Sequence, residues 1–133
     1  MSREHVEIAR RLVDAFNRRD IDIISELATV DFDWFPAMPG VVPGGSFKGR
    51  AGIEAYLMDI GETWEDYRSV AEEFRDLGGR VLVRGRLEGR GRGSGAWVDA
   101  PQGTILDFLG REISRVRTYL DHGEALRAAG LSE

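Results

Sequence analysis

"REISRVRTYLDHGEALRAAG", residues 111–130, changes character within a few positions. Residues up to Leu120 read as a β-strand, and "GEALRAAG" reads as a short helix that closes the chain. Between them lies Asp121-His122. Side by side, an aspartate and a histidine suggest an acid–base pair. Neighbouring residues of a strand point to opposite faces, however, so the two cannot aim at one substrate. A strand-end aspartate ahead of a helical stretch is well placed to cap that helix or open a turn. The pair is therefore read as a corner, and any chemistry has to be sought elsewhere.

Three more long strands precede this one. "YRSVAEEFRDL" (67–77), "RVLVRGRLEGR" (80–90) and "AWVDAPQGTILDFL" (96–109) carry a period of two, and "DLGGR" and "FLGRE" suit hairpin connections. The first half has the helical period instead. Val6, Ala9, Val13 and Phe16, with Leu12 beside them, form one stripe; Asp20 is placed to cap a second helix carrying Ile23, Ile24, Leu27 and Ala28. "VDFDWF" (30–35) alternates as a strand and stops at Pro36. "PAMPGVVPGGSFKG" (36–49) is a proline- and glycine-rich loop, long enough to suggest that it covers a site. Ile53, Tyr56, Leu57 and Ile60 then mark a third helix. Helices first and a strand meander afterwards predict an α+β fold: about three N-terminal helices on one face of a curved antiparallel sheet, with a short C-terminal helix.

The 133 residues fit one domain spanning 1–133, and 42% hydrophobic with 31% charged residues is a globular composition. No apolar run approaches the roughly 20 residues of a membrane helix, and "MSREHVEIARR" lacks the apolar centre of a secretory signal. A cytoplasmic location is expected. The absence of cysteine excludes disulfides and thiolate metal sites, and two distant histidines give no metal-ligand spacing. His5 sits in a charged stretch and is expected to be solvated. A net charge of −5 argues against nucleic acid or an acidic membrane surface as partner. Arg84, Arg86, Arg90 and Arg92 alternate with glycine but lack interleaved stacking aromatics, so they are expected on the outer face of a strand, ion-paired at a dimer interface. No phosphate-cradling loop opens a helix, and no cofactor is implied.

The order of elements, carried by "ARRLVDAFNRRDIDIISELA", "GRAGIEAYL", "RVLVRGRLEGRGRGSG" and "EISRVRTYLDHGEALRAAG", resembles the SnoaL-like branch of the nuclear-transport-factor-like superfamily. That group includes polyketide cyclases, ketosteroid isomerases and limonene epoxide hydrolases. The resemblance implies a cone: the sheet curls round an apolar pocket, helices close one side, and two copies pair through the sheet as a homodimer. It implies a small apolar ligand. Combined with strand alternation, it turns Val116, Thr118 and Leu120 inward with Ser114 on the last strand, and Gln102, Thr104 and Leu106 inward with Ala100 and Phe108 on the strand before. Val83 and Leu87 follow on the neighbouring strand with Val81 and Gly85, and Asp33 and Phe35 on the first. Leu12, Phe16 and Tyr56 complete the expected ligand-binding set from the helices.

The proton carriers of those relatives are missing from the matching positions. An inward aspartate is replaced by Thr118, a pocket histidine by Thr104, the isomerases' aspartate by Phe35 and their oxyanion-binding tyrosine by Leu12. An aliphatic hydroxyl titrates too high to shuttle protons near neutral pH. Asp33 is left as the candidate base, with burial in the cone expected to raise its pKa. Two functions stay open: a cofactor-independent isomerase, cyclase or hydratase using Asp33, and a non-catalytic ligand-binding or accessory protein with an intact cone.

Overall fold

The computed structural model describes residues 2–36 and 46–131, so most of the proline- and glycine-rich loop expected to cover a site lies outside the described residues. Helices α1 (Ser2–Arg18) and α2 (Ile21–Leu27) lead into β1 (Ala28–Phe35). A two-residue strand β2 (Phe47–Lys48) and helix α3 (Gly49–Thr63) follow. Four strands come next, β3 (Trp64–Asp76), β4 (Arg80–Gly91), β5 (Trp97–Leu109) and β6 (Glu112–Tyr119), before α4 (His122–Ala128). The fold is α+β, with the four helices expected. Local signals account for the corners: the Asp20 carboxylate accepts from Ile23 N–H at 3.1 Å to start α2, and Asp121 accepts from Glu124 N–H at 3.1 Å to start α4. The latter is the corner expected of Asp121-His122.

The sheet runs in the order β2-β1-β6-β5-β4-β3. It is mixed, and this corrects the expectation of an antiparallel sheet: β1 pairs with β6 in parallel, while the other four pairs are antiparallel. The chain leaves β1, builds α3 and the β3–β6 meander, and returns to β1's free side. One face of this bent sheet packs α1, α2 and α3 round the main core, which holds Phe32, Trp34, Ile53, Val81, Leu87 and Val116. The other face carries a smaller core. There Leu82 and Ile105, paired across β4 and β5, pack on Ala125 and Leu126 of α4.

One irregularity of the sheet lies midway along β3 and β4. The ladder loses register between Ala71 and Glu73, leaving Glu72 as an extra residue that bends the strand. At this point β3 lies so close that a Cβ on Gly85 would meet the Val70 carbonyl oxygen at 1.9 Å. Glycine is therefore a steric requirement of the bend. Gly85→Ala is expected to destabilise the fold by about 1–3 kcal/mol, in the range of overpacking, read as a lower urea midpoint with an unchanged slope. An unchanged midpoint would mean that β3 can lift off β4 freely.

Candidate functional site

Inside the cone the helical and strand surfaces leave one polar-ended cavity. It is lined by Leu12, Val13 and Phe16 of α1, Trp34 of β1, Tyr56 of α3, Tyr67 and Ser69 of β3, Val83 of β4, Gln102, Thr104 and Leu106 of β5, and Val116 and Thr118 of β6. Its cavity volume is about 40 Å³, and it is partly open to solvent. At about 10–15 Å³ per water, it has room for about three waters.

One wall is aromatic. Phe16 stacks on Trp34 with centroids 5.6 Å apart, Tyr56 lies 6.0 Å from Trp34 and 6.2 Å from Phe16, and Tyr67 meets Phe16 edge-on at 6.2 Å. Burial pushes the phenols of Tyr56 and Tyr67 up, so both stay protonated at neutral pH. Arg19 backs this wall. Its backbone is left-handed at the end of α1 (φ 58°), and its guanidinium donates to the carbonyls of Phe16 (2.7 Å) and Tyr67 (2.5 Å). Burial lowers its pKa.

The opposite wall is polar and uncharged. Ser69 Oγ donates to Gln102 Oε1 at 2.6 Å, and Thr104 Oγ1 faces Thr118 Oγ1 at 3.4 Å, a loose contact that leaves both hydroxyls free to bond elsewhere. Thr104 and Thr118 are directly paired across β5 and β6, which is why their hydroxyls meet.

Of the residues expected to bind ligand, Leu12, Phe16, Tyr56, Val83, Gln102, Thr104, Leu106, Val116 and Thr118 surround this cavity. Leu87 is sealed in the core and Leu120 packs against its edge, so neither lines it. Asp33 and Phe35 require correction: both face away from the cone. In the parallel ladder Trp34 lies beside Val116, whereas Asp33 and Phe35 lie beside Arg115 and Arg117 of the outer face. Turning Phe32 and Trp34 inward buries two large aromatic side chains and leaves a carboxylate in water, the cheaper arrangement by several kcal/mol. Asp33 instead bonds Lys48 Nζ and Ser46 Oγ, each at 2.9 Å. The Lys48 ammonium holds its carboxyl below the ordinary value of 3.8, the reverse of the shift a general base needs.

One further expectation changes. His5 is buried, not solvated. Its ring stacks on Phe108 at 4.1 Å, and its nitrogens meet the carbonyls of Gly78 (3.1 Å) and Gly110 (2.9 Å) in two hairpin turns. His122 sits on the outer side with Nε2 donating to Gly85 O at 2.9 Å, away from the cavity. The arginine series is ion-paired within the chain: Arg84 with Glu73, Arg86 with Glu88 and Asp99, Arg90 with Glu65. Val13, Trp34, Tyr67 and Ser69 also line the cavity and were outside the expected ligand-binding set, Trp34 having been read as core. Alternation in "VDFDWF" was a sufficient signal for Trp34.

A bent sheet closed on one face by three helices is the cone fold of the nuclear-transport-factor-like type. The chain belongs to the SnoaL-like domain family, whose match covers residues 9–116. Similar solved structures include an NTF2-like protein of unknown function from Burkholderia pseudomallei, 20% identical, with a TM-score of 0.78 over 93% of this chain and 95% of that one. A protein described as a SnoaL-like polyketide cyclase from Jannaschia sp. is 23% identical, with a TM-score of 0.76 over 91% and 88%. TerC, co-crystallised with polyporic acid, is 22% identical, with a TM-score of 0.76 over 90% and 92%. No curated protein matches the sequence.

The sign of the Asp33 shift fixes its pH signature. A carboxyl with a depressed folded pKa adds stability that is present above its unfolded value and disappears as pH falls through the folded one. The stability difference between wild type and Asp33→Asn is thus expected to shrink toward zero as pH drops from about 5 to about 2, followed by urea midpoints. A difference that grew with acid would contradict the Lys48 pairing.

Proposed function

We propose that this protein holds a small, mainly apolar and flat molecule in the cone and does so by binding, without proton transfer by its own lining residues. The observation that carries this reading is a cavity with an aromatic wall facing an uncharged polar wall. Among the described residues that line it there is no carboxylate, imidazole or ammonium group. The stretch 37–45, Ala-Met-Pro-Gly-Val-Val-Pro-Gly-Gly, brings no ionisable side chain either. The co-crystal of TerC with polyporic acid supports the idea that a cone of this fold receives an organic molecule. A polar head group would lie against Gln102, Thr104 and Thr118, and the body of the ligand among Phe16, Trp34 and Tyr67. The alternative of Asp33 as base loses its support, since that carboxylate points out of the cone into an ion pair.

Indane, a bicyclic hydrocarbon, tests the reading directly. It is expected to raise the melting temperature through mass action, by about 1.4 kcal/mol of added stability at ten times Kd. Val83→Phe, which places a ring in the cavity, is expected to abolish the rise while the variant still folds. A flat response of the wild type up to the solubility limit of indane would refute the proposal. Asp33→Asn should leave indane binding unchanged.

We further propose that two copies pair through the outer face of the sheet. Exposed Trp97 with Arg90 stacked 5.0 Å over its ring, and the partly exposed Arg86 and Asp99 beside it, are the groups such a contact would bury. Sedimentation equilibrium is expected to give twice the 14.8 kDa chain mass, and Trp97→Glu to shift it toward one. A single-chain mass for the wild type at about 100 μM, far above the Kd of a standard-size interface, would remove this proposal.

A further inference from the structure

Ser69 lies on β3 and Gln102 on β5, two strands away, yet their side chains bond at 2.6 Å. Adjacent strands lie about 4.8 Å apart, so an intervening side chain on β4 would ordinarily keep such groups from touching. Here the residue opposite Gln102 is Gly85, which offers no side chain, and the bend of β3 at this point narrows the gap further. Ser69 is itself held in place. The Asn17 carboxamide grips its main chain at both ends, Nδ2 donating to Ser69 O and Oδ1 accepting from Ser69 N–H, each at 2.9 Å. A chain of fixed hydrogen bonds therefore runs from the end of α1 through β3 to the polar wall of the cavity.

Its consequence is a polarity. A primary amide has one accepting and one donating end, and the two are nearly the same shape. With the Ser69 hydroxyl donating to Oε1, the amide of Gln102 turns its oxygen to β3 and leaves its NH₂ group for the cavity. Among the described residues nothing else engages that nitrogen. The Thr118 hydroxyl beside it receives the Thr104 contact and keeps its own proton to donate.

We propose that Asn17 and Ser69 are positioning residues that fix Gln102 as a donor, so that the cavity selects a neutral ligand presenting a hydrogen-bond-accepting oxygen over one of equal size presenting a donor. This rests on the cone being a ligand site, as proposed above, and adds which end of the ligand enters and what it must carry. An accepting oxygen beside Gln102 and Thr118 takes the amide N–H and leaves no polar group unpaired. A donor there meets the Gln102 NH₂ as a second donor and is left only the threonine hydroxyls to bond, so the amide nitrogen stays unpaired. The lining supplies no cation for an anionic acceptor, which limits the class to uncharged oxygen compounds such as ketones and quinones.

Three bicyclic probes of similar size separate the possibilities: indane, with no polar group; 1-indanone, with an acceptor only; and indole, with an N–H donor. Affinities are read by NMR titration of wild type, Ser69→Ala, Ser69→Thr and Gln102→Leu, with each variant's melting curve recorded. For the wild type, 1-indanone is expected to bind about fivefold tighter than indane, the worth of one net neutral hydrogen bond, and indole no tighter than indane. Ser69→Ala frees the amide to turn over and should bring 1-indanone and indole to within about twofold of each other. Ser69→Thr, which keeps the hydroxyl, should restore the preference, and Gln102→Leu should reduce it to what the Thr118 hydroxyl alone supplies. A merely structural role for Ser69 would weaken all probes together and leave their ratios intact, which would overturn the assignment. Equal binding of all three to the wild type would also overturn it while the cone remained a ligand site. No binding by any of them would remove both.

Discussion

The pile of rings formed by Phe16, Trp34 and Tyr56 ties α1, β1 and α3 to one another, and the rest of the molecule is arranged round it. Each ring comes from a different element, so no pair of elements can shift without separating aromatic contacts. Phe47 extends the pile, stacking on Tyr56 at 4.9 Å, and Tyr67 extends it toward β3. Burying side chains of this size supplies about 1.5–3 kcal/mol apiece. That gain decides the face of β1: Trp34 has to point into the cone, and once it does, alternation sends Asp33 out to Lys48.

How much of this was legible in the sequence follows from the range of the signals involved. Helices, strands and hairpin turns announce themselves through local periodicity and through Asp20, Asp121, Gly78 and Gly110. The inward set lining the cavity on β4, β5 and β6 followed from alternation as well, because β4 pairs with β5 without a shift and the β5–β6 ladder keeps register from Gly103↔Tyr119 to Asp107↔Arg115, losing it only beyond Asp107. The face of β1 was misread because the positions of relatives' catalytic groups were carried onto it, against the plain pattern of Phe32 and Trp34. Tyr67 and Ser69 were missed for another reason. The bulge at Glu72 breaks the period of β3 midway, so that Tyr67, Ser69 and Ala71 belong to one phase and Phe74 to the next. His5 had no local signal at all, since its partners are carbonyls 73 and 105 residues away. The parallel β1–β6 pair is likewise a fact of topology, invisible to patterns along the chain.

The two faces of the sheet solve different problems with the same strands. Outside, most arginines of the strands find a carboxylate on their own or a neighbouring strand: Arg68 and Arg86 share Glu88, and Arg80, Arg115 and Arg117 share Asp107. Such exposed pairs contribute little stability each, but they keep a wide β-surface hydrated where α4 does not cover it. Inside, charge is excluded and polarity is confined to hydroxyls and one amide. An uncharged polar wall keeps the same protonation state across the physiological range, so affinity in the cone should depend on shape and hydrogen-bond direction more than on pH.

The aromatic pile also sets a conflict between stability and occupancy. Phe16, Trp34, Tyr56 and Tyr67 are at once core residues and the wall of the cavity. Packed as they are, they leave a cavity of about 40 Å³, less than a drug-sized ligand needs. A molecule larger than a few waters must therefore lie toward the open part or move a ring that the fold relies upon. The free energy of moving that ring is subtracted from affinity, so ligands are discriminated by how little they disturb the pile as much as by what they contact. Trimming a wall ring would relieve that cost and lose core packing in the same stroke, as is usual where a binding surface doubles as a core. In such a cone recognition can be sharpened without touching the rings at the polar lining formed by Ser69, Gln102, Thr104 and Thr118.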